Sequence, residues 1–364
     1  MKKVFVISNM YPTPEHLSYG IFVKNQVEAL RKAGIETVVG VNTNPATGVK
    51  NVLKKYIAWA LRVLKMGAGN KKSISITHAH YVFPSGVFSL MLKKLWKIPY
   101  VVTAHGGDIE RMAKKNERIR NWTTKILAES AHIIAVGPVL ADQIHQDFGI
   151  AREKITVMSM GVNREVFKPG SQAEARASLN LAEDEFLFSF VGNVIEQKGV
   201  EELLKAFEMV RERTNKKSKL AVIGSRRDTA FIEKIQPLVN EDIIFVDPVQ
   251  QTKLVTWFQA SDVFVLPSHI EGFGLVALEA IATGTPVIAS RVGGLVALLE
   301  EGAGHLVNEK DAEGLAAEML ASMESMNYYD KEKAEAVLDL HDEKRIIERL
   351  VAIYEQAIGR GANR

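Results

Sequence analysis

Short runs of apolar residues recur along the chain. Longer stretches between them carry apolar residues at every third or fourth position. The runs predict strands over 4–8, 37–41, 75–78, 100–103, 133–136 and 155–158. A second series covers 186–191, 220–223, 243–246, 263–266 and 287–289. Strands alternating with amphipathic helices argue for parallel sheets built from βαβ units, an α/β fold. Between the series, Pro169 and Gly170 break the periodicity as a linker does. The spacing therefore predicts two doubly wound domains, 1–169 and 170–341, facing across a cleft. A last helical stretch, 342–364, returns to the first domain. Ligands in such sheets sit at the carboxyl ends of the strands.

The length of 364 residues suits two domains, and 47% apolar with 24% charged residues is ordinary for a globular protein. The absence of cysteine removes disulfides, thiolate nucleophiles and cysteine-ligated zinc. Four apolar residues before Ser8 are too few for a signal-peptide core, and no apolar run approaches the ~18 residues of a membrane span. A cytoplasmic protein is expected. The net charge of +3 conceals an asymmetry. Residues 1–166 hold 24 Lys and Arg against 11 Asp and Glu, whereas the remainder holds 22 against 32. A basic first half suits an anionic partner: nucleic acid, anionic lipid or a phosphorylated substrate. No nucleic-acid-binding motif accompanies the charge.

The most informative segment is Glu271-Gly272-Phe273-Gly274-Leu275-Val276-Ala277-Leu278-Glu279. A strand precedes it and a helix starting near Leu275 follows. Gly272 and Gly274 let backbone approach a ligand, and the Leu275 and Val276 amides face it at the positive end of the helix dipole. Glu279 is then placed to accept hydrogen bonds from sugar hydroxyls. The plainer alternative is a strand-to-helix turn with two solvated carboxylates.

Four other strand ends carry candidate chemistry. Gly20 precedes a helix over 21–33 and presents backbone donors. His78 and His80 close one strand, with His78 read as a structural residue. His105 opens His-Gly-Gly-Asp108. Gly192 permits a tight turn, and Lys198 opens a helix as a mobile charge for phosphate. In residues 49–66, Leu53, Tyr56, Ile57, Ala60, Leu61 and Leu64 recur at helical spacing. Lys50, Lys54, Lys55, Arg62 and Lys65 lie mostly elsewhere, with Trp59 alongside. That composition suits a helix in an anionic membrane interface, or a core-packing helix with a solvated basic face.

Over nearly its whole length the chain resembles glycosyltransferase family 4, retaining enzymes of the GT-B fold with two Rossmann-like domains. The landmarks are the Gly20 loop, His80 in His-Ala-His-Tyr, His105 in His-Gly-Gly-Asp, Gly161-Val-Asn ahead of Phe167 and Pro169, Gly192 with Lys198, the Glu271/Glu279 pair, and Gly293-Gly294. The resemblance implies an acceptor-binding first domain, with His80 and Asp108 on that side, and a donor-binding second domain. It assigns Lys198 and the amides after Gly274 to the donor diphosphate and Glu279 to the ribose. Glu271 would take the transferred sugar, and His105 its C6 hydroxyl. Three segments depart from the family pattern. Asn193 stands where an arginine is usual, with Arg226 or Arg227 available to compensate. Met160 replaces the usual asparagine before Gly161, and Leu295-Val296 replaces Pro-Glu after Gly293-Gly294.

The expected function is transfer of a sugar, with retention, from a nucleoside diphosphate sugar, more readily a UDP-sugar, to an envelope polysaccharide or lipid-linked acceptor. No cofactor is expected. Absence of Asp-x-Asp points to a metal-free site in which Lys198 and the helix dipole meet the leaving diphosphate. The enzyme alternatives are a nucleotide-sugar epimerase or a phosphorylase, and the non-enzymatic one is a silent nucleotide-sugar-binding module. A Rossmann dehydrogenase is disfavoured because no strand is followed by G-x-G-x-x-G.

Overall fold

In the computed structural model, residues 1–44, 49–300, 302–325 and 330–362 are described, without the side chains of 49–53 and 360–362. The chain forms two compact units, Met1–Met160 with Glu343–Arg364, and Gly161–Asp342. The division therefore falls before the Pro169–Gly170 break. Val162 and Phe167 are buried in the second unit's core, and the Val162 amide donates to the His341 carbonyl at 2.9 Å. The two units divide the formal charge much as the two halves of the sequence do.

The first unit holds strands β1 (Lys3–Ser8), β2 (Glu36–Val41), β3 (Ile74–His80), β4 (Tyr100–Ala104), β5 (His132–Ala135) and β6 (Ile155–Val157). They pair in the order β2-β1-β3-β4-β5-β6, all parallel. Val4 and Val6 on one face pack with Val23, Val27 and Leu30 of helix Ile21–Lys32 and with Ile346, Leu350 and Tyr354 of helix Glu343–Ala362. Phe5 and Ile7 on the other face meet Trp59, Val63 and Leu92. This two-sided burial explains why β1 reads as an unbroken apolar run.

The second unit holds β7 (Phe186–Val191), β8 (Ser218–Ile223), β9 (Ile243–Val246), β10 (Val263–Leu266), β11 (Val287–Ser290) and β12 (His305–Val307). Their parallel order is β12-β11-β10-β7-β8-β9. The direction of winding reverses between β7 and β10 here, and between β1 and β3 in the first unit. The crevice at such a reversal is where doubly wound sheets bind ligands. Gly192 and Ser268 follow the two strands of one reversal, and Asn9 and His80 stand at the other. Among the described residues no helix is long and apolar enough to cross a membrane.

Candidate functional site

β10 is fully buried and runs into a loop that ends at Gly274, the N-cap of helix Leu275–Ala282 at φ +93°. That helix begins where the sequence places it, and its first amides lack intrahelical acceptors. The loop is braced from outside. The Gly294 amide donates to the Glu271 carbonyl at 3.2 Å, and a Cβ on Gly293 would stand 1.8 Å from that oxygen. Phe273 lies edge-on to His341 at 5.0 Å, while Gly272, Leu275 and Val276 are half-buried.

Lys198 enters from the neighbouring strand's loop. It closes a short 3-10 turn, Glu196–Lys198, and the following helix starts only at Val200. The expectation that Lys198 opens a helix is thus corrected, because Gly199 intervenes at φ +66°. A Cβ on Gly199 would fall 1.9 Å from the Pro267 carbonyl oxygen, so only glycine lets this turn press against the end of β10. The His269 amide donates to the Gln197 carbonyl at 3.0 Å and closes the join. As a result Lys198 Nζ lies 2.6 Å from Glu271 Oε2, which also accepts from Ser268 Oγ at 3.3 Å.

Glu279, about one turn into the helix, is only 8% exposed. Burial pushes its carboxyl up to about 8, opposed by a long 3.5 Å contact from Gln251 Nε2. The group is therefore mostly protonated at neutral pH, in place of the charged acceptor expected from the sequence. Ser268 and Gln251 carry no motif that would single them out. Gln251 opens a distant helix, and only the fold brings it to Glu279.

Gly192, expected to permit a tight turn, is not among the glycines with positive φ. A Cβ on Gly192 would stand 2.9 Å from the Phe190 ring, and the closer approach is made by Gly224, whose Cβ would lie 1.8 Å from the Gly192 carbonyl oxygen. Asn193 is exposed beside it. Arg226 pairs with Asp247 at 3.1 Å and lies over the Phe245 ring, so as a substitute cation it is already engaged.

In the first unit, Gly20 caps helix Ile21–Lys32 at φ +74° and packs against the Met10 backbone. His78 bridges the Tyr354 hydroxyl at 2.6 Å and Thr103 Oγ1 at 2.7 Å. His80 is fully buried, with Nδ1 3.2 Å from Nε2 of the partly exposed His105. Asp108 is buried as well and accepts from the Val82 amide at 2.7 Å and the His105 amide at 3.0 Å. Its carboxyl is pushed up to about 6 by burial, against the pull of these amides. His80 and Asp108, both expected on the acceptor side, have side chains buried within the unit.

The expected apolar stripe on helix Val49–Asn70 is divided. Trp59, 2% exposed, donates from Nε1 to the Gly40 carbonyl and packs with Val63 in the core. Ile57 and Leu61 remain 52% and 64% exposed. Lys54, Arg62 and Lys65 are exposed, and Lys55 is half-buried, donating to the Asn44 carbonyl at 3.3 Å. The side chains of Lys50 and Leu53 lie outside the described residues.

Comparison with known proteins agrees with this geometry. Residues 171–336 match the family described as "Glycosyl transferases group 1", and residues 19–166 match "Glycosyltransferase Family 4". A D-inositol 3-phosphate glycosyltransferase of Kribbella flavida is 31% identical over 311 residues, 79% of this chain and 73% of that protein. The fold is shared with sucrose-phosphate synthase from Thermosynechococcus elongatus at a TM-score of 0.79 and 23% identity, covering 98% and 100% of the two chains. It is shared also with Anabaena Alr3699/HepE in complex with UDP and glucose, at 0.76 and 16% identity, covering 97% and 99%. The two sheets are those of a GT-B glycosyltransferase, and the chain belongs to glycosyltransferase family 4.

Proposed function

We propose that the second unit binds a nucleoside diphosphate sugar, with UDP as the nucleotide, and that the sugar is transferred with retention to an envelope glycan or lipid-linked acceptor without a metal ion. One observation carries the donor reading. The Lys198–Glu271 pair, the N-terminus of helix Leu275–Ala282 and the buried carboxyl of Glu279 meet at a single strand-to-helix turn. Breaking a sugar–diphosphate bond places negative charge on the leaving oxygen, which a cation and helix amides stabilise. In this reading Lys198 leaves Glu271 for the diphosphate, and Glu271 turns to the hydroxyls of the transferred sugar. Glu279 holds the ribose, and His105 meets the sugar's C6 hydroxyl. The acceptor oxygen bonds to the anomeric carbon on the face that the diphosphate leaves, and the departing diphosphate oxygen takes the acceptor's proton.

The acceptor reading rests on the basic first unit. Ile57 and Leu61 beside Lys54, Arg62 and Lys65 suit the headgroup region of an anionic membrane, which would hold the protein on the inner face of the cell membrane. A second reading is favoured by the relative named for D-inositol 3-phosphate: a small phosphorylated polyol as acceptor, drawn by the same charge. Release of UDP from UDP-sugars, measured with and without anionic vesicles carrying lipid-linked glycans or with inositol phosphates, separates the two. UDP release that no acceptor stimulates would sink both.

A further inference from the structure

Fully buried His80 and partly exposed His105 face each other through one ring nitrogen each. Burial favours the neutral form of both rings. Burial holds His80 down to about 3, and burial together with the neighbouring His80 keeps His105 well below its ordinary value. Two neutral imidazoles 3.2 Å apart share one proton, so either His80 Nδ1–H donates to His105 Nε2 or the reverse. His80 Nε2 decides between them, because it is buried and has no hydrogen-bond partner among the described residues. If His105 were the donor, the proton of His80 would sit on that nitrogen as an orphaned buried N–H. If His80 donates, only an unpaired lone pair is left there. Orphaned buried N–H groups are the rarer of the two.

We propose that His80 is a positioning residue that fixes the tautomer and plane of His105, so that His105 presents Nδ1–H as a hydrogen-bond donor to a ligand hydroxyl or other oxygen. The surroundings suit that role. His105 packs against the rings of Phe22 at 4.8 Å, Tyr81 at 4.7 Å and His80 at 5.4 Å. Asp108 ties the backbones of Val82 and His105 together, fixing both loops that flank the pair. Behind it, His78 lies 4.3 Å from His80 and is anchored by Tyr354 and Thr103. The ring of His105 is thus gripped by three aromatic neighbours and steered by one hydrogen bond. The consequence for turnover rests on the reading above that His105 touches the transferred sugar, whereas the tautomer assignment does not.

Two-bond ¹H–¹⁵N correlation spectra of the full-length ¹⁵N-labelled protein test the assignment without substrate. The expected result is a single His105 tautomer with Nδ1 protonated and Nε2 bare. His80→Phe, which removes the donor, is expected to give a mixture of His105 tautomers. His80→Asn, whose amide N–H falls near the place of Nδ1–H, is expected to restore the single form. Turnover should fall about tenfold or more in His80→Phe with little change in donor KM, and recover in His80→Asn, as misplacement of a contacting group predicts. Wild-type His105 with its proton on Nε2, or a tautomer unmoved by His80→Phe, would overturn the proposal. If His80→Phe does not fold, the wild-type spectrum alone decides. Full activity in His105→Ala would instead remove the sugar role of His105 and leave the tautomer standing.

Discussion

Lys198 Nζ and Glu271 Oε2 stand 2.6 Å apart although 73 positions separate the residues in sequence. The side chains are 26% and 17% exposed, so solvent screens the pair only in part. A bound diphosphate must compete with Glu271 for this lysine. Glu271→Gln, which releases the lysine, should therefore leave UDP affinity undiminished while lowering transfer by about 10²-fold, the scale of a lost transition-state contact. Weaker UDP binding in this variant would mean that Glu271 touches the nucleotide.

Glu279 should make both stability and binding depend on pH. Its folded pKa of about 8 lies above the ordinary 4.5, so the folded state binds the proton more tightly. Stability contributed by this group is full at low pH, declines as pH rises from about 4.5 through about 8, and is level above. Glu279→Gln should flatten that decline in denaturation midpoints measured between pH 5 and pH 9. If ribose hydroxyls donate to the carboxylate, UDP affinity should rise toward pH 8 and binding at pH 7 should release a proton. Calorimetry in buffers of differing ionisation heat detects that proton, and observed heats that do not vary with the buffer would contradict the assignment.

Gly199 offers a test of how the loops are joined. With φ of +66° and a carbonyl oxygen 1.9 Å from any added Cβ, Gly199→Ala should cost about 2 kcal/mol or more. Gly34 has a similar φ of +80°, but a Cβ there would meet no described residue within 4 Å, so Gly34→Ala should cost only about 1–2 kcal/mol. Equal losses on urea denaturation would show that the contact with β10 is not what requires glycine at 199.

Much of the architecture is legible in the residues. β10 is buried on all sides and so reads as an unbroken apolar run, and Gly274 marks the helix start at Leu275. β12 escapes notice because it is a three-residue edge strand whose His305 and Leu306 are only half-buried. The partners of the candidate site are harder to see. The family resemblance assigns Lys198 and Glu271 separate roles toward phosphate and sugar, and their pairing emerges only when β7 and β10 lie side by side. His80 reads as a strand-end residue on the acceptor side, yet contacts set by the fold enclose it: His78, anchored by Tyr354 of the last helix, lies behind it and His105 in front. On helix Val49–Asn70 the periodicity is real, but Trp59 turns the core-facing side away from Ile57 and Leu61.

The exposed face of that helix should control membrane binding. Each basic residue near an anionic surface contributes about 1 kcal/mol at low salt, and the attraction weakens as salt shortens the Debye length. Sedimentation with phosphatidylglycerol vesicles should fall with ionic strength and be lost in the combined variant Lys54→Glu, Arg62→Glu and Lys65→Glu, with Tm within a few degrees of wild type. Ile57→Ser with Leu61→Ser should weaken it as well. Binding indifferent to lipid charge would remove the membrane reading.

The donor site itself is tested most directly by calorimetric titration of UDP into the wild type, Lys198→Ala and Glu279→Ala. The account predicts saturable binding of one UDP per wild-type chain. Each variant should bind more weakly by roughly 1.5–3 kcal/mol, a loss of roughly 10- to 150-fold in affinity. Wild-type protein that does not bind UDP, or two variants that bind it as the wild type does, would contradict it.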